Sequence, residues 1–310
     1  MKCGKDRHGL QRFKCGACAK RFTEPHAMSG KQTGIDETCK VLAMLLEGMS
    51  IRSCERLTGL HRDTIIGLMI QAGESCRAFM ESKIVNRPAA MIEVDEQWAF
   101  IFCKRRTAER LGYDETQVGD CYVFTAIDRD SKLLLCWHAG ERDRDNTWTF
   151  TDKLSRAVSG RPTINTDGFP SYAAAIPASF RGDVDYAQVI KHFQNGGSGD
   201  AQQRYSPGSI RGVEKKIICG VVEKESIGTS RMERFNLTTR MTLRRFTRLT
   251  NGHSKKRRNH EAMLGLYFAW YNWVRKHSTI KTTPAVAAGL AVEPWTLERL
   301  LTEAARTVAA

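Results

Sequence analysis

The sequence lacks any long apolar run. No stretch reaches the about 18 apolar residues that a membrane-spanning helix needs, and the N-terminus has no apolar core of the kind found in export signals. These absences predict a chain that does not span a membrane, and we expect it in the cytoplasm. The chain also has no internal repeat and no low-complexity tract, which argues against a repeat architecture.

Acidic residues are scarce in the C-terminal part of the chain. Between Ser230 and Lys281, thirteen Lys or Arg residues stand against two acids, Glu233 and Glu261. Over all 310 residues, 48 Lys and Arg exceed 34 Asp and Glu, which gives a net charge of +14. Such a balance predicts a polyanionic partner, with nucleic acid ahead of an anionic membrane surface.

A second complete cysteine pair is missing near the N-terminus. The ten cysteines of a cytoplasmic chain are not expected to form disulfides, and only clustered ones are candidate metal ligands. Cys15 and Cys18 form one C-x-x-C knuckle, which is typical of a zinc ribbon. Cys3 resembles the second half of another knuckle, whose first cysteine would precede Met1. Two interpretations stay open: a partial zinc ribbon over 1–30 that uses Cys3, Cys15, Cys18 and His8, or a basic arm with stray thiols.

Residues 31–86 carry apolar side chains at helical spacing and divide into three helices. Ser50 is suited to cap the second helix, Gly59 to end it, and the third is expected to begin between His61 and Thr64. This arrangement predicts a helix-turn-helix, in which the last helix would present Arg62, Asp63 and Thr64 to base edges in the major groove. An ordinary three-helix packing unit is the alternative. Residues 86–88 are expected to be a linker.

The pattern changes to strands at Met91. The segment 91–102 is rich in β-branched and aromatic residues, yet it contains Asp95, an acid that a core strand does not accept without a purpose. Asp128 and Asp130 read as turn residues between two strands. The remaining segments predict, in order, a hairpin of 121–127 with 133–138, a helix from a cap at 145–147 to 158, a strand 163–167, a helix 172–176, an edge or final strand 189–192, and a flexible insertion over about 194–228.

Three acids stand at defined points of this order. Asp95 lies in the first strand, Asp167 ends a later strand, and Glu233 begins a basic helix. The order predicts an α/β, RNase H-like domain with a mixed sheet and flanking helices. Its chemistry needs carboxylates to hold two magnesium ions, or manganese, because hard cations take oxygen ligands. Each acid alone has a simpler explanation, and for Glu233 that is a salt bridge.

The segment after Glu233 predicts one continuous helix. Its apolar face is formed by Phe235, Thr239, Thr242, Leu243, Phe246 and Leu249. Its basic face carries Glu233 at one end of a row made of Arg240, Arg244 and Arg248, and Lys255 and Lys256 extend it. We expect these cations to contact DNA phosphates, with a solvated charged face as the alternative. A last helix, 262–275, carries five aromatic residues that we expect to be mostly core.

Several motifs together resemble the DDE transposases of the insertion-sequence-one family. They are Val94-Asp95-Glu96-x-Trp98, Thr166-Asp167-Gly168-x-x-x-Tyr172, Ser230-x-x-Glu233-Arg234-x-Asn236, Tyr271-Asn272, and the segment from Thr283-Pro284 to Gly289-Leu290. The resemblance covers nearly the whole chain and implies that Asp95, Asp167 and Glu233 are the catalytic metal ligands. It also implies that the helix-turn-helix binds terminal inverted repeats. The incomplete first knuckle departs from the family pattern.

The resemblance implies a DNA transposase that cleaves and joins DNA without a covalent enzyme intermediate. We expect double-stranded DNA as partner, a homo-oligomer on that DNA, and a bacterial, nucleoid-associated location. The expected domains are 1–30, 31–86, a catalytic domain over 87–290, and a C-terminal helix and tail over 291–310. Two alternatives are a catalytically silent DNA-binding regulator and a nuclease acting on RNA hybrids, which the helix-turn-helix disfavours.

Overall fold

The computed structural model describes residues 1–5, 11–23, 28, 30–114, 116–193, 210–247 and 250–309. The strands among them are β1 Lys2–Lys5, β2 Gln11–Lys14, β3 Arg21–Thr23, β4 Arg87–Pro88, β5 Met91–Ile101, β6 Gly119–Asp128, β7 Leu134–Gly140, β8 Val158–Ser159, β9 Thr163–Asp167, β10 Asp185–Phe193 and β11 Ile210–Cys219. The α-helices are α1 Ile35–Leu46, α2 Ile51–Thr58, α3 Arg62–Lys83, α4 Arg105–Leu111, α5 Arg144–Ala157, α6 Pro170–Ser179, α7 Ser230–Thr242, α8 Arg257–Trp273, α9 Pro284–Ala287 and α10 Leu297–Ala309.

The chain divides into two compact units. The first unit comprises 1–83, 242–286 and 291–310, and the second comprises 84–241 and 287–290. The segment 87–290, expected as one catalytic domain, is therefore shared between the two units. The domain assignment itself stays a prediction.

The first unit begins with a small antiparallel sheet in the order β1-β2-β3. The rings of Phe13 and Phe22, on adjacent strands, stack with centroids 5.7 Å apart. Between β2 and β3 the chain makes a tight turn, in which Ala19 N–H donates to the Cys15 carbonyl at 3.1 Å. The C-x-x-C pair lies in this turn.

The helices α1, α2 and α3 lie where the sequence predicted three helices. The Ser50 hydroxyl caps α2 by accepting from Ser53 N–H at 3.1 Å. Gly59 ends α2 in the left-handed conformation, with φ of 75°, which glycine adopts without strain. The next helix begins three residues later, at Arg62.

Helices α3 and α8 cross so closely that their backbones are in contact at Gly73 and Gly265. A Cβ on Gly73 would lie 1.9 Å from the Ala262 carbonyl oxygen, and a Cβ on Gly265 would lie 2.5 Å from the Gly73 oxygen. Both positions therefore require glycine. The expected aromatic core of the last long helix is confirmed, because Tyr267, Phe268, Trp270, Tyr271 and Trp273 are all buried in α8.

The second unit contains a six-stranded mixed sheet in the order β11-β10-β9-β5-β6-β7. Strands β5, β6 and β7 form an antiparallel meander, β9 runs parallel to β5, and β10 runs parallel to β9. Helices α5 and α6 follow β7 and β9. The expected α/β fold with a mixed sheet is confirmed, as is the hairpin whose turn the Asp128 carboxylate holds by accepting from Ser131 N–H at 3.0 Å.

The prediction of β10 as an edge or final strand is wrong, because β10 lies between β9 and β11. Strand β11 occupies 210–219, within the expected flexible insertion over 194–228. The sequence of β11 does not predict a strand, because four of its ten residues are charged and most of its side chains are exposed. The segment therefore shows no alternating apolar face. Backbone pairing with β10 nevertheless forms the strand. The Gly/Ser stretch 195–199 lies outside the described residues.

The continuous helix expected after Glu233 is also wrong. Helix α7 ends at Thr242, Leu243 is extended with φ of −92° and ψ of 113°, and Arg244–Phe246 form a short 3-10 turn. The extended residue lets the side chains of Leu243 and Phe246 reach buried positions, and this burial outweighs the helix propensity of the arginines. A single arginine row is therefore not formed, and Arg248 and Leu249 lie outside the described residues.

Two smaller features complete the fold. The cap of α5 is Asp143, whose carboxylate accepts from Asn146 N–H at 2.8 Å, rather than a residue of 145–147. The expected linker 86–88 contains the short strand β4, which pairs with β8. Across the part of the chain that the structure describes, none of the helices has both the length and the apolarity to cross a membrane.

Candidate functional site

Two parallel strands separate at the centre of the sheet and leave room for a cluster of acids. The pairing of β5 with β9 ends at Glu93 opposite Asn165. Two residues further along each strand stand Asp95 and Asp167, the latter at the carboxyl end of β9. Oxygens of Asp95, Glu96 and Asp167 lie within 4.8 Å of one another. The structure therefore brings together two of the three predicted acids and adds a third that was not predicted.

Asp95 is held by hydrogen bonds to both carboxylate oxygens. Asn236 of α7 donates from Nδ2 to Oδ2 at 2.8 Å, and Glu96 N–H donates to Oδ1 at 2.8 Å. Burial raises the pKa of Asp95 to about 6, and the nearby charge of Asp167 adds to this effect. An acid held in the charged form here needs a compensating cation.

Asp167 is far more accessible than Glu96, because 39% of its side chain is exposed against 2% for Glu96. It accepts from Phe169 N–H at 3.0 Å, which fixes the turn after β9. Arg142 donates to its other oxygen at 3.2 Å, and the guanidinium of Arg142 also lies over the Phe169 ring, 4.1 Å from the centroid. This ring contact positions Arg142 beside the cluster.

Glu96 is the acid that the sequence analysis left without a role. Its side chain is 2% exposed, and Arg142 approaches its Oε2 at 3.6 Å. Its Oε1 is buried without a hydrogen bond of normal geometry, and the buried Tyr172 hydroxyl, which likewise lacks one, contacts the Glu96 carboxyl. Burial raises the pKa of Glu96 to about 8, with a further contribution from Asp167. The signal in the sequence was the adjacent Asp95-Glu96 pair inside an otherwise apolar strand.

Glu233 lies in the first turn of α7, and its carboxylate is 50% exposed. It forms an ion pair with Lys191 of β10 and accepts from the Thr229 hydroxyl at 3.2 Å. It is not part of the group of three acids found among the described residues. A salt bridge is thus present, but its partner is Lys191 and not Arg231 or Arg234, the neighbours that the sequence offered. The role of Glu233 as a metal ligand stays a prediction.

Strand β5 holds α7 through the same face that carries Asp95. The Glu93 carboxylate, which is buried, accepts from Met232 N–H at 2.9 Å. Gln97 donates from Nε2 to the Asn236 carbonyl at 2.9 Å. These two bonds flank the contact between Asn236 and Asp95, so the helix that carries Glu233 is fixed to the strand that carries the metal-binding candidates.

The residues predicted to bind DNA occupy several places. Arg62, Asp63 and Thr64 are exposed in the first turn of α3. An open groove in the first unit is lined by cationic side chains, namely Arg52, Arg244, Arg245, Lys255, Lys256 and Arg258. Arg240 belongs to α7 in the second unit.

The cysteines predicted to bind zinc lie in the N-terminal sheet. Cys3 is part of β1, and Cys15 and Cys18 flank the turn after β2. Backbone N–H groups of Cys18 and Ala17 and the Cys18 thiol lower the pKa of Cys15, which favours its thiolate. No third ligand joins this pair in the residues the structure covers, and His8 lies outside them.

Part of the second unit is similar in sequence to a known protein family. Residues 113–200 match the family model of a DDE domain. This match supports a DDE transposase enzyme. The expected enzyme class is thereby confirmed, while assignment to the insertion-sequence-one family stays a prediction. The matched DDE segment contains Asp167 and excludes Asp95 and Glu233.

One solved structure similar to the chain is a cryo-EM structure of the piggyBac transposase synaptic complex with hairpin DNA. The two share 13% sequence identity and a TM-score of 0.41, over 89% of this chain and 72% of that chain. No curated protein matches the chain at a significant level.

Proposed function

We propose that the chain is a DNA transposase that binds the terminal inverted repeats of an insertion sequence and catalyses metal-dependent strand cleavage and strand transfer. The observation that carries this proposal is the meeting of Asp95 and Asp167 at the point where β5 and β9 separate. The strand order, with an antiparallel meander followed by two parallel strands, supports an RNase H-like core. The motifs described above support the insertion-sequence-one family.

The donor atoms fit a hard divalent cation. They are carboxylate oxygens, which magnesium and manganese prefer. The buried Glu96 Oε1 makes no hydrogen bond of normal geometry, so its bonding capacity is not filled within the protein. When bound, two such ions activate a hydroxyl nucleophile and stabilise the leaving oxygen of a phosphodiester. We propose Asp95, Asp167 and Glu233 as the ligands.

The surrounding residues have roles that follow from their contacts. Asn236 fixes the orientation of Asp95, because it donates to one of its oxygens. Arg142 balances part of the negative charge and keeps Asp167 in position. Lys191 holds Glu233 at the start of α7 and would release it when a cation competes for the carboxylate.

The basic surfaces are suited to the DNA backbone. We propose that the three helices of 31–86 act as a helix-turn-helix and that Arg62, Asp63 and Thr64 read base edges. The groove with Arg244, Lys255 and Lys256 would contact phosphates, as would Arg240 and Arg248. Zinc held by Cys3, Cys15 and Cys18, a homo-oligomer on DNA and a nucleoid location belong to the same proposal.

Strand transfer by the purified chain tests this function. A labelled DNA fragment carrying the element end that flanks the gene should be nicked or joined to target DNA in the presence of magnesium. Asp167→Asn should abolish the product, because an amide replaces a charged ligand. Asp130→Asn, which changes an exposed aspartate of the β6–β7 turn, is the matched control and should retain activity. Full activity of Asp167→Asn would refute the assignment.

The competing function is a catalytically silent regulator derived from such an element. It predicts that the wild-type chain binds the end fragment and gives no strand-transfer product with magnesium or manganese. Duplex DNA competing better than an RNA hybrid would exclude a hybrid-specific nuclease.

A further inference from the structure

The Glu96 carboxylate is almost fully buried, yet its hydrogen-bonding capacity is not filled. Its side chain is 98% buried, since only 2% is exposed. One of its two oxygens makes no hydrogen bond of normal geometry, although the equally buried Tyr172 hydroxyl contacts the Glu96 carboxyl. Leaving a buried charged oxygen unpaired is costly unless another group compensates it. The ligand atoms of Asp95 and Asp167 lie within 4.8 Å of the Glu96 ligand atom. Glu96, which carries this oxygen, thus lies in one cluster with Asp95 and Asp167.

Glu96 reaches this place from the opposite face of the sheet. Successive side chains of a strand alternate between faces. The face of β5 with Asp95 contacts α7 through Asn236. Glu96, on the other face, contacts the hydroxyl of Tyr172 of α6. Because β5 and β9 no longer pair beyond Glu93, carboxylates from both faces converge in the gap between the strands.

The cations around the cluster do not balance its charge. Arg142 is shared between Asp167, at 3.2 Å, and Glu96, at 3.6 Å. Lys191 is paired with Glu233. Three carboxylates therefore share a single guanidinium among the contacts described here, and a divalent cation bound between them would restore the balance.

From this geometry we infer that Glu96 is a direct metal ligand, and that Asp95, Glu96 and Asp167 together form an ion site that is complete without Glu233. This inference deepens the proposed function, on which it rests for the choice of a divalent cation. Glu233 then serves a different ion or acts only once DNA is bound. The site would be loaded by the full chain in the absence of DNA.

Manganese binding to the full chain without DNA tests this inference. Titration calorimetry and the EPR signal of free Mn²⁺ both measure affinity independently of strand transfer. Glu96→Gln should weaken binding of the first ion by at least about tenfold, because it replaces a charged ligand by a neutral amide. Glu233→Gln should leave the affinity of this first ion within about twofold of wild type.

Glu261→Gln provides the control for loss of a glutamate charge. Glu261 is also a partly buried glutamate, but its carboxylate pairs with Arg77 and lies outside the group of three acids. Its substitution should leave manganese affinity unchanged. Wild-type affinity in Glu96→Gln would overturn the inference, as would an equal loss in Glu261→Gln.

A wild-type crystal soaked in Mn²⁺ decides the question if Glu96→Gln fails to fold. An anomalous peak about 2.1 Å from a Glu96 oxygen supports the inference, and a peak coordinated by the other acids without Glu96 overturns it. The two proposals fail separately. A wild-type chain inactive in strand transfer whose manganese binding depends on Glu96 contradicts only the proposed function, whereas an active chain whose manganese binding is insensitive to Glu96→Gln contradicts only this inference.

Discussion

Asn236 donates a 2.8 Å hydrogen bond to Asp95 across 141 positions of the chain, and so connects α7 to the strand that carries the first acid. We expect Asn236→Ala to free the Asp95 carboxylate and to lower strand-transfer activity and manganese affinity by about 10- to 100-fold, as partners of metal ligands generally do. The cost in stability should be about 1 kcal/mol.

Thr238→Ala is the control on the same helix, because the Thr238 hydroxyl bonds only to the Arg234 carbonyl among the hydrogen bonds described here. Its manganese affinity, measured by calorimetry, should match wild type. Equal losses in Asn236→Ala and Thr238→Ala would show that the effect comes from α7 as a whole.

Metal binding and stability should depend on pH in opposite directions. The pKa of Asp95 is raised to about 6 and that of Glu96 to about 8, chiefly by burial. Folding therefore favours their protonated forms, and the stability they contribute is present at about pH 4 and lost as pH rises through these values. Without metal, the free energy of unfolding in urea should fall by more than about 1 kcal/mol between pH 5 and pH 9, both approximate limits.

Manganese should reverse this trend, because binding requires the charged carboxylates. Its affinity should rise over the same pH window, and the stabilisation it provides should be largest at the alkaline end. In Glu96→Gln, the pH range over which manganese affinity rises should be limited to the titration of Asp95, whose pKa is about 6. A pH-independent affinity would contradict the assignment of these acids.

The crossing of α3 and α8 should not tolerate a methyl group at Gly73. In Gly73→Ala the new Cβ would lie 1.9 Å from the Ala262 carbonyl oxygen, so the helices must separate. We expect a loss of more than about 2 kcal/mol in the free energy of unfolding, measured in urea.

Gly67→Ala, in the same helix, is the matched substitution. There the nearest atom is the flexible Lys31 Nζ at 3.1 Å, which is free to move aside. Because alanine favours a helix over glycine by about 1 kcal/mol, this variant should be as stable as wild type or more so. If Gly73→Ala were as stable as Gly67→Ala, the close crossing of α3 and α8 would be refuted.

The groove cations should account for part of the salt dependence of DNA binding. Lys255 and Lys256 are both exposed and line the groove of the first unit. Substituting both by alanine should reduce the slope of log K against log salt by about 2, because each phosphate contact contributes about 0.9. Fluorescence anisotropy over a salt series measures this slope.

Arg306→Ala is the control for a general loss of charge. Arg306 lies in α10 and pairs with Glu303. For Arg306→Ala, the slope of log K against log salt should equal that of wild type. A reduction as large as that of the double lysine variant would indicate an unspecific charge effect.

The sequence was sufficient where residue type and local pattern carry the information. The hairpin around Asp128, the cap at Ser50 and the strand that ends at Asp167 were predicted, because each depends on nearby residues. Asp95 was identified as a candidate because an acid within an apolar strand is unusual.

Features that depend on tertiary contacts were missed. The end of α7 depends on the burial of Leu243, which no local pattern reveals. Strand β11 exists through its pairing with β10. Glu96 was missed as a candidate ligand because alternation places it on the opposite face from Asp95, and only the separation of the two strands brings the carboxylates together.

The pairing of Glu93 with Asn165 sets more than the arrangement of two strands. A slip of one residue between β5 and β9 would displace Asp95 relative to Asp167 and turn it away from α7. A sheet paired in that wrong way would bury nearly the same backbone, yet it would lose the cluster of oxygens. A divalent cation would therefore stabilise only the correctly paired sheet, and its binding would act as a check on the folding of the molecule.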